Sequence, residues 1–225
     1  MSDIAATGIN PSPPLSGLKV LVVDYESGNL RSVARALEKA GVSPQISGDP
    51  DALESADAAV LPGVGSGDAA MAELQQRGLV EPLRRFAASG RPFLGVCLGL
   101  QLLMERTEEG DAECLGILPG RVRRLPQGLK VPHMGWNLVR TSTDHPVLRG
   151  LPREAYFYFV HSFYAEPSDP QLTVGVTEYG VRFSSICAKD NLIATQFHPE
   201  KSGPLGLQLY RNFVEHAALV AAGTR

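Results

Sequence analysis

The chain has 225 residues, 44% hydrophobic and 20% charged, which suits a folded domain with a sizeable core rather than a disordered chain. A formal net charge of −3 gives no basis for binding nucleic acid or an anionic membrane, and no apolar run approaches the roughly 20 residues that span a bilayer. Three cysteines, Cys97, Cys114 and Cys187, are an odd number without metal-ligand spacing. That excludes a disulfide framework or a zinc site as organising principle, calls for no metal, and fits a reducing cytoplasm.

Residues 1–17, rich in Pro, Ser and Gly, read as a mobile tail without the features of a signal peptide, followed by one domain over 18–225. "KVLVVDY" reads as a strand buried on both faces. Asn29 to Ala40 reads as a helix, with Leu30, Val33, Ala34, Leu37 and Ala40 at helical spacing and Gly41 as its stop. "ADAAVLPG" is a second buried strand, followed by helical patterns at Ala69–Gln76 and Val80–Ala88. "RPFLGVC" gives another strand and Leu98–Arg106 another helix. This alternation predicts an α/β domain with a mostly parallel central sheet flanked by helices. From Gly120 to Ala194 shorter β-rich segments ("GRVRRL", "NLVRT", "AYFYFVHSFY", "LTVGVTEYG", "FSSICAKD", "LIATQF") predict hairpins or antiparallel strands added to that sheet. Leu205 to Ala222 closes the chain as a helix.

Within this frame "GVCLGLQ" brackets Cys97 with Gly95 and Gly99 where a strand meets a helix, on the side of an open α/β sheet where ligands bind. Gly-x-Cys-x-Gly is the thiol counterpart of the nucleophile elbow, and a helix starting at Leu98 turns backbone N–H groups toward the sulfur. The plain alternative is a buried cysteine at a strand end. A nucleophilic thiol needs a base and a group to orient it. "QFHPEKSG" offers both in His198 and Glu200, which an extended backbone would set on one side, with Pro199 keeping His198 out of the helical region. "LPGVGSGD" adds a glycine-rich turn whose free N–H groups suit an oxyanion, or is simply a strand-to-helix connection. Asn29 reads as a helix cap, Trp136 as core and Lys201 as ordinary surface when taken singly. Arg121, Arg123, Arg124 and Lys130 read as a solvated edge strand.

"GVCLGLQLL", "FHPE" and "PGVG", in this order on an α/β pattern, resemble the class I (triad) glutamine amidotransferases. "DYESGNLRSV", "VPHMGWN", "FVHSFY" and "HPEKSG" resemble, within that family, the glutaminase subunits that serve a cyclase of histidine biosynthesis. The resemblance runs from Lys19 to the C-terminus and implies a flavodoxin-like fold that needs no cofactor. It implies Cys97 as nucleophile toward the glutamine amide, His198 as base and acid, and Glu200 as orienter of His198. Val64, Gly65 and Leu98 would bind the oxyanion, and Gly63, Gln101, Glu109, His161, Ser162 and Phe163 would hold glutamine. Asn29, Trp136 and Lys201 would face a separate cyclase subunit with a (β/α)8 barrel, for which this chain has no room. Two residues depart from the family pattern: Phe163, where tyrosine is frequent, and Glu26, where glycine is frequent. An amidotransferase of another pathway is the alternative. A non-catalytic flavodoxin-like module is weaker, and an α/β-hydrolase would place its acid before its histidine.

Overall fold

A computed structural model describes residues 15–223; most of the expected tail lies outside them. The chain enters through β1 (Val20–Val23), every residue of which is buried. Its alternation divides the core: Val20 and Val22 face one apolar cluster, Leu21 and Val23 another. Helix α1 (Leu30–Lys39) lays Val33 and Leu37 on the first cluster. Two elements absent from the sequence reading follow, β2 (Gln45–Ser47) and α2 (Pro50–Ser55). The second is started by Asp49, whose carboxylate accepts the Asp51 N–H at 3.0 Å, with Pro50 at the first helical position. β3 (Ala58–Gly63), α3 (Gly67–Gln76), α4 (Val80–Ala88) and β4 (Phe93–Cys97) complete the alternating half. Leu53, Leu74, Leu83 and Phe86 cover the second face; each such side chain removed from water contributes about 1.5–3 kcal/mol.

Helix α5 (Leu98–Leu102) is shorter than the expected Leu98–Arg106. The returning segment ends it: N–H groups of Leu115, Ile117, Leu118 and Gly116 take the carbonyls of Leu102, Leu103 and Met104 that further turns would use. β5 (Arg106–Thr107), β6 (Gly120–Arg124), β7 (His133–Thr141) and β8 (Glu154–His161) follow. The run expected as a single strand breaks at Ser162, and β9 (Phe163–Pro167) belongs to a different sheet. β10 (Thr173–Glu178), β11 (Arg182–Lys189), β12 (Leu192–Thr195) and the long α6 (Gly203–Gly223) end the chain, α6 adding Leu209, Phe213 and Ala217 to the first cluster.

The main sheet has nine strands in the order β2-β1-β3-β4-β12-β11-β10-β7-β8. It is parallel from β2 to β12 and antiparallel from β12 to β8, so the later segments extend one edge, as the sequence predicts. A separate sheet of three strands, β5-β6-β9, has no counterpart in the sequence reading. It makes β6 a central strand rather than the expected edge: Arg121 pairs with Glu166 at 3.1 Å and Arg123 with Glu108 at 2.7 Å. The carboxyl ends of β3, β4 and β12 lie side by side in the parallel half, where an open sheet places its ligands.

Candidate active site

Cys97 ends β4 with φ 55° and ψ −105°, a backbone conformation that costs a residue with a Cβ about 1–3 kcal/mol. The glycines beside it serve close packing. A Cβ on Gly99 would overlap the Leu61 carbonyl oxygen and lie 2.9 Å from its carbon; one on Gly95 would lie 2.9 Å from the Ala194 Cβ. β3, β12 and α5 therefore approach the elbow more tightly than any side chain permits, and the sulfur is thrust to the end of the sheet.

His198 follows β12 and is fully buried. Its Nδ1 meets Glu200 Oε1 at 2.7 Å, with both side chains entirely out of solvent. The backbone achieves this differently from the expectation of an extended pair. Residues Pro199–Lys201 form a single 3-10 turn, tied by Ser202, whose hydroxyl donates to the His198 carbonyl at 2.7 Å and whose N–H donates to the Pro199 carbonyl. Asn29 does not cap α1 through its side chain; it adopts φ 81° and its Nδ2 donates to Glu200 Oε1 at 2.6 Å. Burial would raise the Glu200 pKa, but hydrogen bonding and attraction from His198, with help from Asn29, hold it below the usual carboxylate value. Burial likewise opposes a charged His198; the Cys97 sulfur and Glu200 outweigh it and push its pKa up to about 10. The imidazole Nε2 faces this sulfur's field yet makes no well-formed hydrogen bond, a looseness common in catalytic pairs without substrate.

Cys97, Val64, Gly65, Leu98, Gln101, Glu109, His161, Ser162 and Phe163 line one cleft of about 280 Å³, joined by Pro132 and Val160, which the sequence does not single out. A larger hollow of about 1000 Å³ around β5 and β6 is lined by ion-paired residues such as Arg121 and Glu166 and by Cys114, whose thiol burial holds in the neutral form with a pKa raised to about 11. Among the described residues, Val64 and Gly65, the latter at φ 102°, donate their N–H groups to no turn or loop carbonyl. Gly63 stands behind the cleft wall, where a Cβ would overlap the Tyr25 hydroxyl and lie 2.9 Å from the Leu98 Cβ. One Glu109 oxygen already accepts the Gly67 N–H at 2.7 Å, anchoring the start of α3. Glu26 takes φ 65° and pairs with Arg77, so it adopts a conformation that favours glycine. Phe163 contributes its carbonyl to the network below, and the ring leaves no hydroxyl there.

That network has a single polarity. Asn137 Nδ2 donates to the Glu178 carbonyl at 3.0 Å, so the nitrogen also faces His133 Nε2 at 3.2 Å. His133 then carries its proton on Nδ1 and donates to His161 Nε2 at 2.8 Å, and His161 Nδ1 donates to the Phe163 carbonyl at 2.8 Å. Burial pushes both imidazoles down, His133 to about 4 and His161 to about 3, which keeps them neutral as this pattern requires. From the other side Gln101 Nε2 donates to the same carbonyl at 2.8 Å and to Gln196 Oε1 at 3.2 Å. That assigns Gln101 Oε1, on a residue that lines the cleft, as an acceptor. Gln196, fully buried, escapes the sequence reading; an amide inside the apolar run "LIATQF" is the signal that could have found it.

The residues expected at a partner surface are separated by role. Trp136 is 56% exposed on β7, edge-on to Tyr158 at 6.2 Å, and is not core. Lys201 is exposed on the turn that carries Glu200, and Asn29 reaches inward to that carboxylate. Cys114 and Cys187 are buried and free, and burial raises them to about 11 and about 12. No helix among the described residues is long and apolar enough to cross a membrane.

A family model described as glutamine amidotransferase class-I matches residues 21–217, and the chain belongs to that family. Its relatives narrow the class further. It is 48% identical over 199 residues to imidazole glycerol phosphate synthase subunit HisH of Dehalococcoides mccartyi, covering 88% of this chain and 97% of that one. It is 51% identical over 197 residues to the protein of the same name from Methanothermobacter thermautotrophicus, covering 87% and 98%. Solved structures that share the fold include PurLQS from Thermotoga maritima, with TM-score 0.71 at 19% identity, covering 88% of this chain and 98% of that one. A second structure, described as a glutamine amidotransferase, matches with TM-score 0.70 at 20% identity, again covering 88% and 98%.

Proposed function

We propose that this chain is the glutaminase subunit of an imidazole glycerol phosphate synthase, hydrolysing glutamine and passing ammonia to a separate cyclase subunit. Near-full-length identity to subunits of that name supports the pathway. The observation that carries the chemistry is geometric: His198 Nδ1 lies 2.7 Å from Glu200, both side chains closed to solvent, and Cys97 stands on its positive-φ elbow at the wall of the cleft.

The Cys97 sulfur attacks the side-chain carbonyl carbon of glutamine, and the carbonyl oxygen becomes an oxyanion received by N–H groups at Val64–Gly65 and Leu98. The His198 proton passes from Nε2 to the departing nitrogen, the C–N bond breaks, and neutral ammonia leaves a glutamyl thioester on Cys97. Water then adds to the thioester while His198 takes its proton. Collapse expels the thiolate and frees a carboxylic acid that loses its proton to solvent as glutamate, leaving the thiolate and protonated imidazole as at the start. Glu200 stays ionised and holds the ring. Gln101 Oε1 and the free Glu109 oxygen suit the substrate ammonium, and His161, Ser162 and Phe163 form the opposite wall.

The cyclase, a (β/α)8 barrel docked over the face that carries Trp136 and Lys201, with Asn29 turned inward to Glu200, would use the ammonia to convert PRFAR into imidazole glycerol phosphate and AICAR. Ammonia is reactive only while unprotonated and confined, so the mouth of this cleft needs a cover. Co-expression with that cyclase tests the reading. Cys97→Ala should abolish glutamine-dependent synthesis and leave synthesis from ammonium salts intact. Glutamine turnover surviving the substitution would refute it.

A further inference from the structure

We propose that Gln196 is a catalytic residue, donating its side-chain N–H to the Cys97 sulfur and so favouring the charged nucleophile; this rests on the reading of Cys97 as nucleophile. Gln196 Nε2 lies 3.7 Å from Cys97 Sγ, within range for a hydrogen bond to sulfur. The direction of that bond is forced. A backbone carbonyl can only accept, so the Gln101 atom 2.8 Å from the Phe163 oxygen is its amide nitrogen. Its other hydrogen goes to the Gln196 atom 3.2 Å away, which must be the carbonyl oxygen. Gln196 is left with its nitrogen facing the sulfur.

The sulfur has a second neighbour, the Val160 carbonyl at 3.8 Å. A neutral thiol can donate there, whereas a thiolate can only be repelled by it. The two contacts thus serve the two protonation states, and Gln196 serves the reactive one. Burying an amide at a site fully closed to solvent is costly unless its groups are paired, so a side chain present only to fill space here would be apolar. The donor persists through the cycle. It stabilises the sulfur before attack and again when the hydrated thioester adduct collapses and expels it, and it takes no part in covalent bonding.

The experiment pairs Gln196→Met with Gln196→Glu, which keeps the shape and an oxygen for Gln101 while replacing the donor with an acceptor. Cys97 alkylation by a small neutral electrophile, which needs neither Gln101 nor glutamine, is followed against pH, alongside kcat and KM in the complex with the cyclase. Loss of a hydrogen bond to a charged group predicts a midpoint about one pH unit higher for Gln196→Met and further still for Gln196→Glu. With it kcat should fall about tenfold to a hundredfold while KM changes little. An unmoved alkylation profile in the folded Gln196→Glu protein, or a rise confined to KM, overturns the proposal and leaves Gln196 as a support for Gln101. Should Gln196→Met not fold, Gln196→Glu decides alone. Glutamine turnover that survives Cys97→Ala would instead defeat the nucleophile reading beneath it.

Discussion

Gly206→Ala should damage catalysis from behind the active site. Gly206 lies in the first turns of α6, against the 3-10 turn that carries Glu200. An added Cβ would overlap the Pro199 carbonyl oxygen and lie 2.7 Å from its carbon and 3.0 Å from the Pro199 Cα. All these atoms are backbone, so no side chain can swing aside. Two effects oppose each other. Alanine in place of glycine within a helix favours folding by about 1 kcal/mol. Overpacking costs about 1–3 kcal/mol, and a backbone clash belongs at the upper end, so a net loss is expected. In a domain of this size each kcal/mol lowers Tm by about 2–4 °C. Relief by moving the turn displaces Glu200 by about 1 Å, and a misplacement of that size costs about a hundredfold in rate. The assay is glutamine turnover in the complex, read beside calorimetric Tm and ammonium-dependent synthesis by the cyclase. Turnover should fall about a hundredfold while ammonium-dependent synthesis holds. A variant with unchanged turnover and an unchanged or higher Tm would refute the packing argument.

Two further outcomes follow from the same contacts. Asn29→Ala removes a donor from Glu200 Oε1, and a hydrogen bond to a charged group is worth about 1.5–3 kcal/mol; kcat should fall tenfold or more with KM for glutamine little changed. An unaltered kcat would show that the 2.6 Å contact does not help to hold the carboxylate. The histidines predict opposite pH effects. His133, His145 and His161 are held to about 4, about 4 and about 3, so the unfolded chain binds protons that the folded one refuses, and stability should drop as pH falls from about 6.5 toward 4. His198, raised to about 10, contributes stability that is fully present below about 6.5 and is lost as pH rises through about 10. Proton release on acid-side unfolding, measured by calorimetry in buffers of different ionisation enthalpy, would contradict the first part.

The alternating half of the fold and the elbow are legible in the sequence because their signals are local: short buried apolar runs, a helical period, and glycines where backbones touch. What escapes depends on distant partners or on brief signals. β2 is short and only partly covered, and α2, although announced by Asp49 and Pro50, spans six residues. The break at Ser162 is marked in sequence by that serine alone, a weak turn signal; its carbonyl is claimed by the Leu125 N–H at 3.0 Å, from another strand's end. The spacing of His198 and Glu200 predicts a pair on an extended backbone; the pair forms on a turn instead, because the tie made by Ser202 decides the local path. Asn29 carries the general lesson. Its position before a helix predicts a cap, whereas a carboxylate 171 residues away in sequence takes its side chain. Gln196 likewise becomes meaningful only once Gln101 and Phe163 fix which way its amide points.

The most direct measurement is peptide mass mapping after incubation with a glutamine analogue that carries an electrophile at the amide carbon, in the presence of the cyclase. A stoichiometric adduct on Cys97, absent from Cys114 and Cys187 and prevented by excess glutamine, is the result the account predicts. Labelling elsewhere, or a Cys97 that stays unmodified while glutamine is being turned over, would contradict it.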